Sequence, residues 1–344
     1  MLKARFIDVA YTHTEGMETC IIPPGVHFPA NTTLLEKRRM LEGDGELAWL
    51  KTSLLNEPRG HVAMYGGFLS PPSSDEYDAG IIWCDGVLCN DMCGHGTIAL
   101  GMAMVSMGMV PESDDGHTFI RLETTAGLVV AEVCSNEHTV EWTRLENVPA
   151  YVAAQDVPVT LPEIGEVKVD VAFGGNYFAT VNWEASNLRV CPENGKQFRE
   201  LGALVREQVA EKISIQHPTK AHISYPSATT DLLVTFWHEP DRSTSFYRNV
   251  HVLSNGLLDR SPGGTGTSAM LAMLEARGKI KIGQTIQSEG LLGSGVFEGC
   301  LLRETKLGDV RAVVPTVKGT ANIIGYAKWL LDRNDPVGQG FVVT

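Results

Sequence analysis

No run of this chain is apolar for the roughly 20 residues that a bilayer span needs. The most hydrophobic stretch, 98–110, has the length of a core helix. Positive charge is also short. Lys and Arg number 28 against 41 Asp and Glu, a formal net charge of −13, which argues against nucleic acid or an anionic membrane as partner. A small anionic metabolite stays compatible, because backbone N–H groups can hold an anion inside an acidic protein. The opening MLKARFIDVAYTHTEG lacks the unbroken apolar core of a signal peptide. Cysteine is scarce and odd in number, seven in 344 residues, which fits reduced thiols in a cytosol better than a disulfide framework. Low-complexity segments and short-period repeats are missing. What is left is a cytoplasmic globular protein, 43% hydrophobic, long enough for two domains with full cores.

Alternation over 3–10 predicts a strand, and Glu, Lys, Arg and Leu at helical spacing over 34–50 predict one amphipathic helix. A turn (EPRGH, 57–61), a short apolar run (62–69), a Pro/Ser/Asp loop (70–80) and a strand (81–84) lead to a glycine-rich turn. Strands follow at 118–133, broken by a turn at 124–127, and at 139–144. A polar link near 145–150 precedes a second series. It has strands at 167–172 and 177–181, a helix over 198–212, strands near 221–224, 232–237 and 250–253, and a second glycine-rich turn. A last helix is predicted over 319–331, and 335–343 as a strand returning to the first half. Each half delivers strands and then a glycine turn that opens a helix. That predicts an α+β protein of two similar halves whose helix N-termini meet in one cleft. The domains expected are 1–147, completed by the tail 332–344, and 148–331.

The two turns read MCGHGTIA (92–99) and PGGTGTSA (262–269), sharing Gly94/Gly264, Gly96/Gly266, Thr97/Thr267 and Ala99/Ala269. Glycines let successive N–H groups point one way, and a helix N-terminus adds a positive dipole end; together they suit a small anion. Only the first turn carries a thiol, Cys93, and Gly263 stands at the matching place. A cysteine at a helix entrance is favoured as thiolate and serves as nucleophile or general base; the competing reading is a buried, inert thiol. His95 either hydrogen-bonds a substrate or satisfies turn backbone. Asp259 either meets a substrate amine or caps a turn. Cys84, Cys89, Cys93 and His95 raise the question of zinc. Cys84 lies in an apolar strand, however, and a ligand role for Cys93 would waste the anion site, so no metal is expected. Dinucleotide, phosphate-loop and serine-elbow spacings are all absent.

Longer motifs then carry a resemblance over essentially the whole chain. They are EPRGH (57–61), MCGHGTIA (92–99), AFGGNYFA (172–179), DRSPGGTGTSA (259–269), the G-x-A-x-I-x-G stretch (319–325) and the DP…GF ending (335–341). On these residues the sequence is identified as a member of the proline racemase family. The resemblance implies a cofactor-independent homodimeric enzyme, with two pseudo-symmetric domains of diaminopimelate epimerase-like fold and the site in their cleft. It implies a proline or hydroxyproline substrate whose α-carbon is flanked by two cysteines, which map to Cys93 and to Gly263. Its carboxylate contacts map to backbone N–H groups of Gly94, His95, Gly264 and Thr265, and its contacts near the amine and ring to Asp259 and His95.

One thiol changes the chemistry expected. A single base returns the α-proton to the face it left, so nothing inverts. Dehydration of trans-3-hydroxy-L-proline needs only one acid–base group, because the hydroxyl and the α-hydrogen share a ring face. The enamine product tautomerises unaided to pyrroline-2-carboxylate. The family includes such dehydratases, typically with threonine at the second position. The leading expectation is therefore a hydro-lyase with Cys93 as single base and the Gly263 turn as part of the carboxylate cradle. The alternatives are a proline racemase or 4-hydroxyproline 2-epimerase with a substitute second acid, and an inactive binder of proline-like metabolites.

Overall fold

A computed structural model describes residues 4–29, 31–184, 186–226, 232–240 and 246–343. The strands and helices run in the order β1 (Ala4–Thr14), β2 (Met17–Ile22), α1 (Leu34–Leu41), α2 (Ala48–Leu55), β3 (Tyr65–Ser70), β4 (Ala79–Cys84), β5 (Cys89–Asn90), α3 (Gly94–Ser106), β6 (His117–Thr124), β7 (Gly127–Asn136) and β8 (Thr139–Glu146). The second series is β9 (Tyr151–Leu161), β10 (Gly165–Phe173), β11 (Tyr177–Asn182), α4 (Gly195–Lys212), β12 (Ile215–Gln216), β13 (Ser224–Tyr225), β14 (Leu232–His238), β15 (Phe246–Val252), α5 (Gly264–Ala276), β16 (Thr285–Glu289), β17 (Val296–Leu307) and β18 (Val310–Gly319). The last strand is β19 (Ala321–Asp332). Among the described residues no helix is long and apolar enough to cross a membrane.

The chain divides into two compact units, Met1–Thr14 with Glu18–Thr143 and Thr320–Thr344, and Glu15–Met17 with Arg144–Gly319. In the first, β2 and β3 pair parallel, β3 and β4 antiparallel, β4 and β6 parallel, and β6 and β7 antiparallel. The second repeats that alternation through β11, β14, β15, β16 and β17. Each unit therefore follows one plan, and in each the glycine turn lies between the third and fourth strands of that series.

The helix opened by each turn is the centre of its unit. Helix α3 packs against β1, β3, β7 and β19, and α5 against β9, β10, β11, β17 and β18. Every residue of α3 from Gly94 to Met104 is buried, as is every residue of α5 from Gly264 to Leu274. A helix apolar on all sides is stable only when enclosed, which accounts for the Ala- and Met-rich composition of both. The remaining helices lie elsewhere. Helix α4 packs against β9, β14 and β15 and carries its apolar stripe on one face.

Three expectations need correction. The segment 319–331 is not a helix. It forms β19, which pairs residue by residue with β1 (Asp8 opposite Lys328, Tyr11 opposite Gly325), and this pairing places 320–331 in the first unit. Its Ile, Tyr and Trp residues alternate outward and inward, a period of two that helical spacing cannot satisfy. The single helix over 34–50 is two, α1 and α2, parted around Gly43, which takes φ +50°, and Gly45, whose Cβ would lie 2.5 Å from the Arg39 carbonyl oxygen. Finally, 335–343 forms no strand; its one ladder contact is a bridge from Phe341 to Glu57.

Candidate functional site

At the first turn Cys93 is the N-cap of α3, in extended backbone (φ −135°, ψ 112°). Its Sγ accepts a hydrogen bond from the Gly96 N–H at 3.3 Å and lies 3.5 Å from Nδ1 and 3.6 Å from Nε2 of His95. The sulfur thus takes the place that a serine or aspartate oxygen takes in an ordinary cap. An amide dipole, a helix N-terminus and an imidazole all bear on it, and each stabilises negative charge on sulfur. Cys20 shows the contrast. It lies within β2, and burial pushes its thiol up to about 12, a hydrogen bond with Tyr11 only partly opposing this.

His95 is held from two sides. The Thr14 hydroxyl donates to its carbonyl at 2.8 Å, and the Tyr65 ring meets its imidazole edge-on at 5.3 Å between centroids. Tyr65 is itself hydrogen-bonded to Asn90. The approach to Cys93 is fixed from beneath by Arg38, which donates to the Cys89 carbonyl at 2.6 Å, to Asp91 at 2.5 Å and to the Thr125 hydroxyl at 3.3 Å. Burial works against the Arg38 charge, but Asp91 and Glu42 more than offset it and hold the guanidinium above its ordinary pKa. Asp91→Ala leaves that cation short of a partner in the interior. It is expected to cost about 3–5 kcal/mol of stability, read as a lower urea midpoint, whereas a loss under 1 kcal/mol would mean that Glu42 alone suffices.

The second turn is built differently. Gly263 is the N-cap of α5 with φ +73° and ψ 108°, a backbone that side chains rarely adopt. Its N–H donates to Ser261 Oγ at 3.1 Å, and its carbonyl accepts from the Thr267 N–H at 2.8 Å. Asp259 Oδ1 accepts from both the backbone N–H and the hydroxyl of Ser261, each at 2.8 Å, so this carboxylate does cap the turn. Gly264 and Thr265 stand in the first helical turn, whose N–H groups point out of the helix end, as Gly94 and His95 do in α3.

Against this turn lies a residue that the motif reading did not single out. His251, on β15, is buried, with its ring against both Gly263 and Gly266. Its Nε2 donates to the Pro262 carbonyl at 2.8 Å, and its Nδ1 is 2.7 Å from the Thr235 hydroxyl. Burial pushes this imidazole below its ordinary pKa, opposed by the Asp259 carboxylate and the bond to Pro262. The available signal was a lone histidine inside the apolar run VHVL, with no local motif to mark it.

The expectation of reduced thiols also needs correction at one pair, because Cys84 and Cys89 are joined by a disulfide across β4 and β5. That bond removes both as thiolate zinc ligands. Free thiols remain at Cys20, Cys93, Cys134, Cys191 and Cys300. Among the described residues no group of three or more His, Cys, Asp or Glu is placed to hold a metal ion.

Comparison with known proteins bears on this arrangement. The chain is 56% identical to a 4-hydroxyproline 2-epimerase of Cereibacter sphaeroides over 98% of both chains. It is 38% identical to a proline racemase of Clostridioides difficile over the full length of each. A hydroxyproline epimerase from Agrobacterium vitis, solved with bound trans-4-hydroxy-L-proline, superposes with a TM-score of 0.90 at 29% identity, covering 98% of this chain and 96% of that one. A methylitaconate-delta-isomerase at 14% identity and a TM-score of 0.57 shares the fold alone. The architecture is thus the α+β, diaminopimelate epimerase-like fold that the resemblance implied. The proline racemase family model matches residues 9–342, and the chain belongs to that family.

Proposed function

We propose that this protein is a cofactor-independent isomerase that inverts C2 of 4-hydroxyproline, interconverting trans-4-hydroxy-L-proline and cis-4-hydroxy-D-proline. The observation that carries this reading is the 56% identity, over 98% of both chains, to a protein named for that reaction. It reverses the order of preference reached from the lone thiol. Elimination from trans-3-hydroxy-L-proline now stands second, resting on Gly263 alone, because the relatives bear the names of racemases and epimerases.

In this reading Cys93 is the base on one face of the α-carbon. Its thiolate takes the α-proton, and the electron pair left on carbon spreads into the substrate carboxylate. First-turn N–H groups of α3 (Gly94, His95) and α5 (Gly264, Thr265) hold that carboxylate and stabilise its growing charge, which fixed dipoles do without reorganising. The His95 imidazole, within 3.6 Å of the sulfur, steadies the thiolate. Asp259, already bound to Ser261, offers negative charge for the ring ammonium.

The test is incubation with trans-4-hydroxy-L-proline followed by chiral separation, with L-proline and trans-3-hydroxy-L-proline run in parallel. The cis-4-hydroxy-D epimer is the expected product. A pyrroline from the 3-hydroxy isomer, with neither of the other substrates inverted, would instead establish the dehydratase.

A further inference from the structure

Ile98 of α3 corresponds to Ser268 of α5, so the second helix holds a buried hydroxyl where the first holds a hydrocarbon. A hydroxyl enclosed in an apolar helix has to be paired. Ser268 Oγ donates back to the Gly264 carbonyl at 2.9 Å and accepts from Asn147 Nδ2 at 2.9 Å. The same Nδ2 donates to the Gly174 carbonyl at 2.8 Å, and Asn147 Oδ1 accepts from the Val148 N–H at 2.8 Å. A carbonyl can only accept and an amide N–H can only donate, so these partners fix which way round the Asn147 amide stands. All of these residues belong to the second unit, and Asn147 is buried within it.

We infer that Asn147 is a positioning residue for the substrate carboxylate, acting through Ser268 on the peptide that carries the Thr265 N–H. The assignment rests on the role proposed above for the first turn of α5. Peptide planarity makes the link, because in a trans peptide the C=O and the N–H point opposite ways. A Gly264 carbonyl drawn down the helix by Ser268 therefore aims the Thr265 N–H out of the helix end. The AFGGNYFA stretch enters at the same place. A Cβ added to Gly174 would fall 2.4 Å from the Thr265 carbonyl oxygen and 2.5 Å from the Ala269 nitrogen, so glycine is what lets this turn lie against the first turn of α5. One amide nitrogen, Asn147 Nδ2, ties the two together.

The first turn reaches the same end by another side chain. Thr14 donates to the His95 carbonyl at 2.8 Å, and the N–H of that same peptide, Gly96, is the one that reaches the Cys93 sulfur at 3.3 Å. In each unit a buried polar side chain from outside the helix thus fixes the aim of one peptide in the glycine turn. At the first turn that peptide serves the thiol. At the second, where no thiol stands, it serves the anion.

Ser268→Ala tests it first, because alanine suits a buried helix and leaves Asn147 bonded to Gly174. Inversion of trans-4-hydroxy-L-proline is followed by chiral separation, at a temperature well below the melting midpoint of each variant. The expected result is a kcat/KM lower by about 10–100-fold, the cost of a misaimed contact, carried mainly by a raised KM. A side chain that only supports the fold would lower the melting midpoint and leave the KM of the folded enzyme alone, so a KM within about twofold of the wild type would overturn the assignment. Asn147→Ala should raise KM in the same way, and the double variant no further than Asn147→Ala alone, because both changes cut one chain of contacts. Multiplied effects in the double variant would mean that the two residues act separately, which also overturns it. Where Asn147→Ala does not fold, Ser268→Ala decides by itself. Wild-type protein that inverts no 4-hydroxyproline would sink the epimerase reading and this assignment with it. Wild-type inversion that Ser268→Ala matches would sink only the assignment.

Discussion

Cys93→Ala is expected to abolish exchange of the substrate α-hydrogen and to lower turnover by about 10²–10⁴-fold, the usual worth of a positioned acid–base group. The size of the effect follows from where the sulfur sits. It caps α3, accepts the Gly96 N–H and lies beside the His95 ring. Alanine keeps the helix but removes the side-chain acceptor of the Gly96 N–H. A modest stability loss of about 1 kcal/mol should therefore accompany the loss of activity. Cys93→Ser separates the two effects. Its hydroxyl can cap, restoring stability, yet it is a far weaker base than a thiolate, so activity should remain depressed. Activity within tenfold of wild type in either variant would remove Cys93 from the chemistry.

Gly263→Cys, which writes the missing thiol back into the motif, is expected to destabilise the protein rather than to improve it. The backbone there has φ +73°, where a non-glycine residue carries about 1–3 kcal/mol of strain. The new Cβ would also fall 2.2 Å from His251 Cδ2. The ring cannot readily swing away, since hydrogen bonds at both nitrogens pin it. Overpacking of this kind adds about 1–3 kcal/mol. Gly263→Cys combined with His251→Val removes the obstructing ring and the bond that draws the Pro262 carbonyl inward, so part of the stability should return. Urea unfolding of both variants decides this. A single variant as stable as wild type would mean that the turn relaxes freely and that Gly263 and His251 are not a matched pair.

Much of this organisation was legible in the residues. The shared glycines and threonines at 94/264, 96/266 and 97/267 announced two turns of one kind, each opening an apolar helix, and α3 and α5 are those helices. What stayed hidden depends on partners distant in sequence. β19 looked helical because its pattern becomes a strand only opposite β1, more than 300 residues away. Cys84 and Cys89 read as separate thiols because only the β4–β5 ladder sets them side by side. His251 had no motif around it, and its relation to Gly263 exists only through the positive φ and the occupied volume at the turn. Gly263 itself was read as a vacancy, and that reading led to elimination. In the structure the space beside it is filled by the His251 ring, and its backbone φ of +73° is one that suits glycine.

The most direct test of the account is a proton NMR time course of the wild-type enzyme with trans-4-hydroxy-L-proline in heavy water. The predicted result is cis-4-hydroxy-D-proline carrying deuterium at C2 from its first appearance, because the proton delivered to the second face comes from a group in exchange with solvent and not from the thiol that took the first. Deuterium gained at C2 with the L configuration retained, and no D epimer formed, would contradict it and leave Cys93 working alone.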